Sequence, residues 1–212
     1  MTNELTIELD NDALMREFFY YIDHPGQCNL YTNRNNIIKF FQQDVFFAHE
    51  KNLWRDPIIR DKLIINRIKY LHKTDITSDE LLCGFKKSGI YYGYSHFNPL
   101  LAKWFYERYN IHTCYDPCGG WGHRLLGSLE LDKYIYNDIS VDVIIGIQNM
   151  IDFFDIHNTK IYNKDASIFM PDDEFESIFT CPPYQNLEKY CNDISEEEFQ
   201  KLMKNIYNVF IQ

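Results

Sequence analysis

His112-Thr113-Cys114-Tyr115-Asp116-Pro117-Cys118-Gly119-Gly120-Trp121-Gly122-His123 is a short apolar run that ends in clustered glycines and opens into a helix-like stretch. A strand, a glycine turn and a helix in succession form the first half of a parallel crossover unit. The spacing predicts a strand over 112–116, a turn over 119–122 and a helix over 123–131. The alternation then repeats, with a strand over 134–138, a helix over 141–154, a strand over 160–163 and a strand over 175–180. Ser195-Glu196-Glu197-Glu198 has the spacing of a capping box and opens a last helix to about Phe210. Upstream, Asn98-Pro99 reads as a helix cap followed by proline at the first helical position, starting a helix through Tyr109. The expected fold class is therefore α/β, a parallel sheet with helical crossovers.

Before residue 89 the pattern is different. Residues 13–21, 36–50 and 57–71 are apolar-periodic without strand alternation and read as helices, broken at Pro25-Gly26 and Asp56-Pro57. Thr77-Ser78-Asp79-Glu80 has capping-box spacing for a short helix through Phe85, and Lys87-Ser88-Gly89 marks a joint. The chain is expected to divide into a helical accessory region, 1–88, and a sheet-forming region, 89–212.

An apolar content of 45% in 212 residues is a globular composition, which excludes a disordered chain. The longest apolar runs, such as Val143-Ile144-Ile145-Gly146-Ile147, are too short to span a bilayer, and no basic-then-apolar leader opens the sequence. The expectation is a soluble, cytoplasmic protein without a membrane partner. Six cysteines, Cys28, Cys83, Cys114, Cys118, Cys181 and Cys191, are scattered without paired CxxC knuckles, so no metal site is expected and the thiols read as reduced. A net charge of −10 argues against wholesale coating of nucleic acid. Between residues 30 and 74, however, nine Lys or Arg stand against four Asp or Glu, a stretch that could face a phosphate backbone or simply be a solvated helix face.

The turn 116–122 carries the first chemistry. Glycines between strand and helix let the backbone approach a ligand, although a tight connection needing positive φ would use the same residues. Asp138, at the expected end of the second strand, is placed to accept hydrogen bonds from both hydroxyls of a ribose. Asp165, just past the third, could accept from an adenine amino group. With Gly120 and Gly122 they outline a nucleoside crevice at the carboxyl ends of the strands. Downstream, Thr180-Cys181-Pro182-Pro183-Tyr184 is a rigid loop after the fourth strand: consecutive prolines carry no N–H, so nearby carbonyls can face a ligand, and Tyr184 offers a ring on which a base could stack.

These segments resemble the S-adenosylmethionine-dependent DNA amino-methyltransferases. Asp116-Pro117-Cys118-Gly119-Gly120-Trp121-Gly122 is similar to that family's acidic-Pro-Phe-x-Gly-x-Gly cofactor motif, with Cys118 in place of the aromatic. Cys181-Pro182-Pro183-Tyr184 looks like its catalytic motif, in which Asp, Asn or Ser precedes Pro-Pro and an aromatic. Tyr94-Ser95-His96-Phe97-Asn98-Pro99 resembles the segment that closes over the methionine moiety. The ordered matches cover about residues 90–192. The resemblance implies a Rossmann-like methyltransferase sheet, S-adenosylmethionine as cofactor and DNA as partner, with methyl transfer to the exocyclic amino group of adenine or cytosine. It makes Phe97, Asp116, Pro117, Gly120, Gly122, Asp138 and Asp165 cofactor contacts, and Cys181, Pro182, Pro183 and Tyr184 the catalytic loop.

In the implied mechanism, acceptors at Cys181 and at the Pro182 carbonyl hold the amino hydrogens and localise the nitrogen lone pair, while Tyr184 holds a base swung out of the duplex. A thiol is a weaker acceptor than the oxygen it replaces. The alternatives are thus a catalytically degenerate module that keeps cofactor or DNA affinity, or a methyltransferase for a protein glutamine amide. A complete sheet of this type has about three further strands after the fourth, and only one helix fits between Ser195 and Gln212. The sheet is expected to be incomplete at its carboxyl end, as a fragment, a natural truncation, or one half of an assembly completed by self-association or by a partner chain.

Overall fold

The computed structural model describes residues 10–29, 36–46, 56–72, 74–75, 97–183 and 195–210. Its helices are α1 (Asn11–Asp23), α2 (Asn36–Phe41), α3 (Gln43–Phe46), α4 (Pro57–Leu71), α5 (Pro99–Tyr109), α6 (His123–Gly127), α7 (Val141–Phe154) and α8 (Glu196–Phe210). The strands are β1 (Thr113–Asp116), β2 (Lys133–Asn137), β3 (Thr159–Tyr162) and β4 (Ser177–Ile178), joined in the order β3-β2-β1-β4 with every pairing parallel. The α/β reading holds at that level. Cys114 and Tyr115 of β1 and Tyr134, Ile135 and Tyr136 of β2 are all fully buried, as central strands of a sheet covered on both faces must be.

Local chemistry sets the ends. Asn98 Oδ1 accepts from Leu100 N–H at 3.1 Å with Pro99 behind it, so α5 starts where the sequence places it. Ser195 and Glu198 exchange their bonds as a capping box, Ser195 N–H donating to Glu198 Oε2 at 2.8 Å and Glu198 N–H to Ser195 Oγ at 3.3 Å. Three expectations need correction. The helix expected over 123–131 stops at Gly127, because Ser128 donates from both its N–H and its hydroxyl to the Leu125 carbonyl. Gly127 also lies so close to α5 that a Cβ would sit 2.4 Å from the Pro99 carbonyl oxygen. The helix expected over 36–50 breaks at Gln42, whose side chain donates to the Val143 carbonyl at 3.1 Å, and residues 47–50 lie outside the described ones. The strand expected over 175–180 shrinks to Ser177–Ile178: the Glu176 carboxylate takes the Thr113 amide at 3.0 Å, and Thr180 uses its side chain toward β1. The expected helix from Thr77, the segment Tyr94-Ser95-His96 and Tyr184 also lie outside the described residues.

α1 and α2 belong to the same core as the sheet. Phe18 of α1 stacks on Phe154 of α7 with centroids 4.2 Å apart, and Leu14, Ile37 and Ile38 are fully buried with Leu125, Tyr134 and Met150. Lys103 of α5 reaches back to the end of α1, donating to the carbonyls of Tyr21 at 3.3 Å and Ile22 at 2.8 Å, where a cation meets the negative end of the helix. Glu17 accepts from the first amides of α2, at Asn36 and Ile37, and its burial raises its pKa against the pull of those bonds. The accessory helices thereby brace α7 and α5, which flank the loops described next.

Candidate functional site

Parallel pairing brings the loops that follow all four strands to one edge of the sheet. Asn137, the last residue of β2, joins the loops after β1 and β3. Its Nδ2 donates to the Pro117 carbonyl at 2.8 Å and the Lys164 carbonyl at 3.0 Å, its Oδ1 accepts from Lys164 N–H at 3.0 Å, and its own carbonyl accepts from Gly119 N–H at 2.8 Å. Asn163 adds a second bridge, donating to the carbonyls of Asp138 and Ile139 at 2.8 and 3.0 Å.

The glycine turn is held against this frame. A Cβ on Gly119 would lie 2.0 Å from the Tyr136 ring, and the Tyr136 hydroxyl donates to the Gly120 carbonyl. Gly120 and Gly122 have φ of 60° and 90°. Gly122 backs onto Ile147 and Met150, whereas nothing lies within 4 Å of where a Cβ of Gly120 would stand. The turn therefore needs positive φ and also opens onto free space at Gly120. Asp138 closes the other side: one carboxylate oxygen accepts from Gly120 N–H at 2.9 Å and the other from Ser140 N–H at 2.9 Å. Burial raises its pKa, and those two bonds oppose the rise.

Asp165 sits one residue past the Lys164 clip, with its carboxylate accepting from Ser167 N–H at 2.9 Å. Beside these carboxylates, Ile139 is 68% exposed and Ile168 80% exposed, apolar side chains standing open in the loops after β2 and β3. The residues present fit a nucleoside-bearing group: free space over a glycine, a carboxylate with unused lone pairs at the end of β2, and apolar surface for a ring.

Asp116 is placed differently. It is fully buried, and its oxygens accept from Arg124 Nε at 2.7 Å, Arg124 Nη2 at 3.2 Å and the Tyr134 hydroxyl at 2.6 Å. Burial works against the Arg124 charge, and Asp116 more than restores it, holding the guanidinium above its ordinary pKa. Arg124 Nη2 also donates to the Cys118 carbonyl at 2.6 Å, and its guanidinium carbon lies 5.8 Å from the centre of the Phe97 ring. Phe97 in turn meets Phe179 edge-on, centroids 5.9 Å apart. Pro117, buried and without an N–H, contributes its carbonyl to Asn137.

The loop after β4 is tied to the glycine turn. Cys118 N–H donates to Thr180 Oγ1 at 3.0 Å. The β1–β4 register pairs Tyr115 with Ile178, and Phe179 N–H continues it by donating to the Tyr115 carbonyl at 3.1 Å. Cys181 lies near enough to Arg124 to act on its charge. Burial, helped by Asp116 and Asp138, pushes the Cys118 thiol up to about 12, which makes it a poor nucleophile at neutral pH. Cys181, Pro182 and Pro183 are half-buried.

The structure thus collects Phe97, Asp116, Cys118 and Cys181 between β1 and β4, and Gly120, Asp138 and Asp165 around the ends of β1, β2 and β3. Arg124 and Asn137 join these groups without having been singled out in the sequence, and Thr180, read there only as the start of the Pro-Pro loop, supplies the bond that ties it to the turn. The one signal for Arg124 was a cation in the first turn of a short apolar helix. Among the described residues no three His, Cys, Asp or Glu side chains converge as metal ligands, and no helix is long and apolar enough to cross a membrane. No protein-family model, curated protein or solved structure matches the chain.

Proposed function

We propose that the chain is an S-adenosylmethionine-dependent methyltransferase for an exocyclic amino group of a DNA base, built on a Rossmann-like sheet. The observation that carries this reading is the joint geometry of Gly120, Asp138 and Thr180. An open glycine and a ribose-competent carboxylate lie side by side, and one hydrogen bond, from Cys118 N–H to Thr180, fastens the start of the Cys181-Pro182-Pro183 run to the same turn. The resemblance of both motifs to the amino-methyltransferases supplies the chemical class.

In this reading the cofactor supplies a methyl group on a sulfonium, transferable to nitrogen without a covalent enzyme intermediate. The chain's part is positioning and electrostatics. Asp138 would accept from the ribose hydroxyls, Ile139 and Ile168 would offer apolar surface to the adenine ring, and Asp165 would accept from its amino group. Gly120 gives the backbone room, Gly122 lets the turn pack on Ile147 and Met150, and Pro117 and Asp116 act behind the turn, one through Asn137 and the other through Arg124. Phe97 forms the wall between Arg124 and Phe179. On the substrate side, Cys181 Sγ and the Pro182 carbonyl hold the two amino hydrogens, and Tyr184 stacks on the base. Transfer would form the N–C bond as the sulfonium S–C bond breaks, its electron pair returning to sulfur to leave the neutral thioether S-adenosylhomocysteine, and the nitrogen's surplus proton would pass to solvent. Exposed Lys62 and Lys69 on α4 supply phosphate contacts; Arg67 of the same helix is 5% exposed and is not available for them.

A second reading, a cofactor-binding module without turnover, is favoured by one feature: a thiol stands where the amino group needs an acceptor. Incubation with methyl-labelled S-adenosylmethionine and mixed-sequence duplex DNA separates the two. Label is expected in an amino-methylated base, with faster transfer by Cys181→Ser, since the hydroxyl oxygen is the better acceptor. Cofactor binding with no transfer by either protein would establish the second reading instead.

A further inference from the structure

The charge arrangement behind the glycine turn points to a ligand group that neither motif specifies. Asp116 has no exposed surface, and three donors occupy its carboxylate, so a ligand ammonium finds no acceptor there. Arg124 is the opposite case. A guanidinium has five N–H donors. Nε and Nη2 carry the bonds to Asp116 and to the Cys118 carbonyl, whereas Nη1 makes no hydrogen bond among the described residues and is not among the sealed polar atoms that lack a partner. The Arg124 side chain is only 6% exposed, so this remaining edge is a narrow one. The guanidinium that carries it stands 5.8 Å from the centre of the Phe97 ring and is bonded to the Cys118 carbonyl, at the carboxyl edge of β1.

We propose that Arg124 Nη1 anchors a carboxylate, the one at the amino-acid end of an S-adenosyl ligand, with Asp116 and Tyr134 acting as positioning residues that aim the guanidinium. The assignment rests on the reading of the site as a nucleoside-cofactor crevice. It follows from donor count: the subsite offers N–H groups and no free carboxylate, so it selects an anion. A planar fork fixed on two sides needs little reorganisation to receive one. The Asp116 charge cancels that of Arg124, so the subsite attracts by directed hydrogen bonds and not by net charge.

Isothermal titration calorimetry of the full chain tests this with three ligands, S-adenosylhomocysteine, its carboxyl methyl ester and 5′-methylthioadenosine, which lacks the amino-acid end. Wild type should bind S-adenosylhomocysteine ~10-fold or more tighter than the ester or the truncated nucleoside, the size of one charged hydrogen bond. In Asp116→Asn/Arg124→Gln, which removes both charges together, that preference should vanish while methylthioadenosine binds as it does to wild type. Thermal melting monitors the fold of the variant, and the ligand comparison on wild type decides the question should the variant unfold. Equal affinity of wild type for acid and ester overturns the Arg124 assignment and leaves the crevice reading standing. Failure of all three ligands to bind overturns both.

Discussion

Asn137 is the residue on which the geometry of the edge depends most. It fills a buried position in β2, and its amide joins the loops after β1 and β3. Asn137→Ala would strand the Lys164 amide and the Pro117 carbonyl, each such loss costing about 1–3 kcal/mol. Urea denaturation should show that drop, and Asn137→Asp, which keeps an acceptor for Lys164 N–H but removes the donor, should recover part of it. The sequence exposed some of this site and hid the rest for a physical reason. The positions of Gly120, Asp138 and the Cys181-Pro182-Pro183 run are legible because they depend on backbone conformation and on strand ends, both of which leave local signatures. Asn137, Arg124 and Thr180 act across loops on partners 20, 8 and 62 positions away, and a single chain carries no mark of such pairings. Asp116 shows the limit from the other side: its place at the end of β1 was readable, whereas its engagement by Arg124 and Tyr134 required the packing of α6 against the sheet.

At the scale of elements, strands and helices appear where apolar periodicity and caps agree, as at Asn98-Pro99 and Ser195. Ends are misjudged where a tertiary contact overrides propensity, as at Ser128, Gln42 and Glu176. The loop after β3 is set by such a contact. Asp173 returns across the sheet edge and accepts from Lys133 Nζ at 2.7 Å, Lys160 Nζ at 2.8 Å and the Tyr162 hydroxyl at 2.6 Å. The Lys133 bond, followed by those of Lys160 and Tyr162, holds the Asp173 carboxyl well below the usual carboxylate range. Its folded pKa is depressed, so this clamp contributes stability above the unfolded value near 4 and loses it as pH falls through the folded value. An acid titration followed by circular dichroism should therefore show stability declining below about pH 4. Asp173→Asn should flatten that limb and lower stability at neutral pH.

At the scale of the whole molecule, one core includes helices from both sides of the joint near residue 89. The apolar face of α1 announces that it will be buried, but periodicity does not say against what; the answer is α7, through Phe18 and Phe154. Phe18→Ala should cost about 3–5 kcal/mol if the cavity stays open. Unfolding followed by far-ultraviolet circular dichroism and by tryptophan fluorescence should move together to lower denaturant, because α1 and the sheet share that core. The strand order has a kinetic consequence. Thr113 and Ser177 meet across 64 positions, whereas β1 reaches β2 through the much shorter crossover that contains α6. Closing the larger loop carries the greater entropy loss, and β4 offers only two paired residues in return. During folding β4 is thus expected to dock last, after β1, β2 and β3, which pulsed hydrogen exchange would show as late protection of the Phe179 amide. Because Cys181 follows β4 directly, the loop carrying Cys181-Pro182-Pro183 meets the glycine turn only once the sheet is finished.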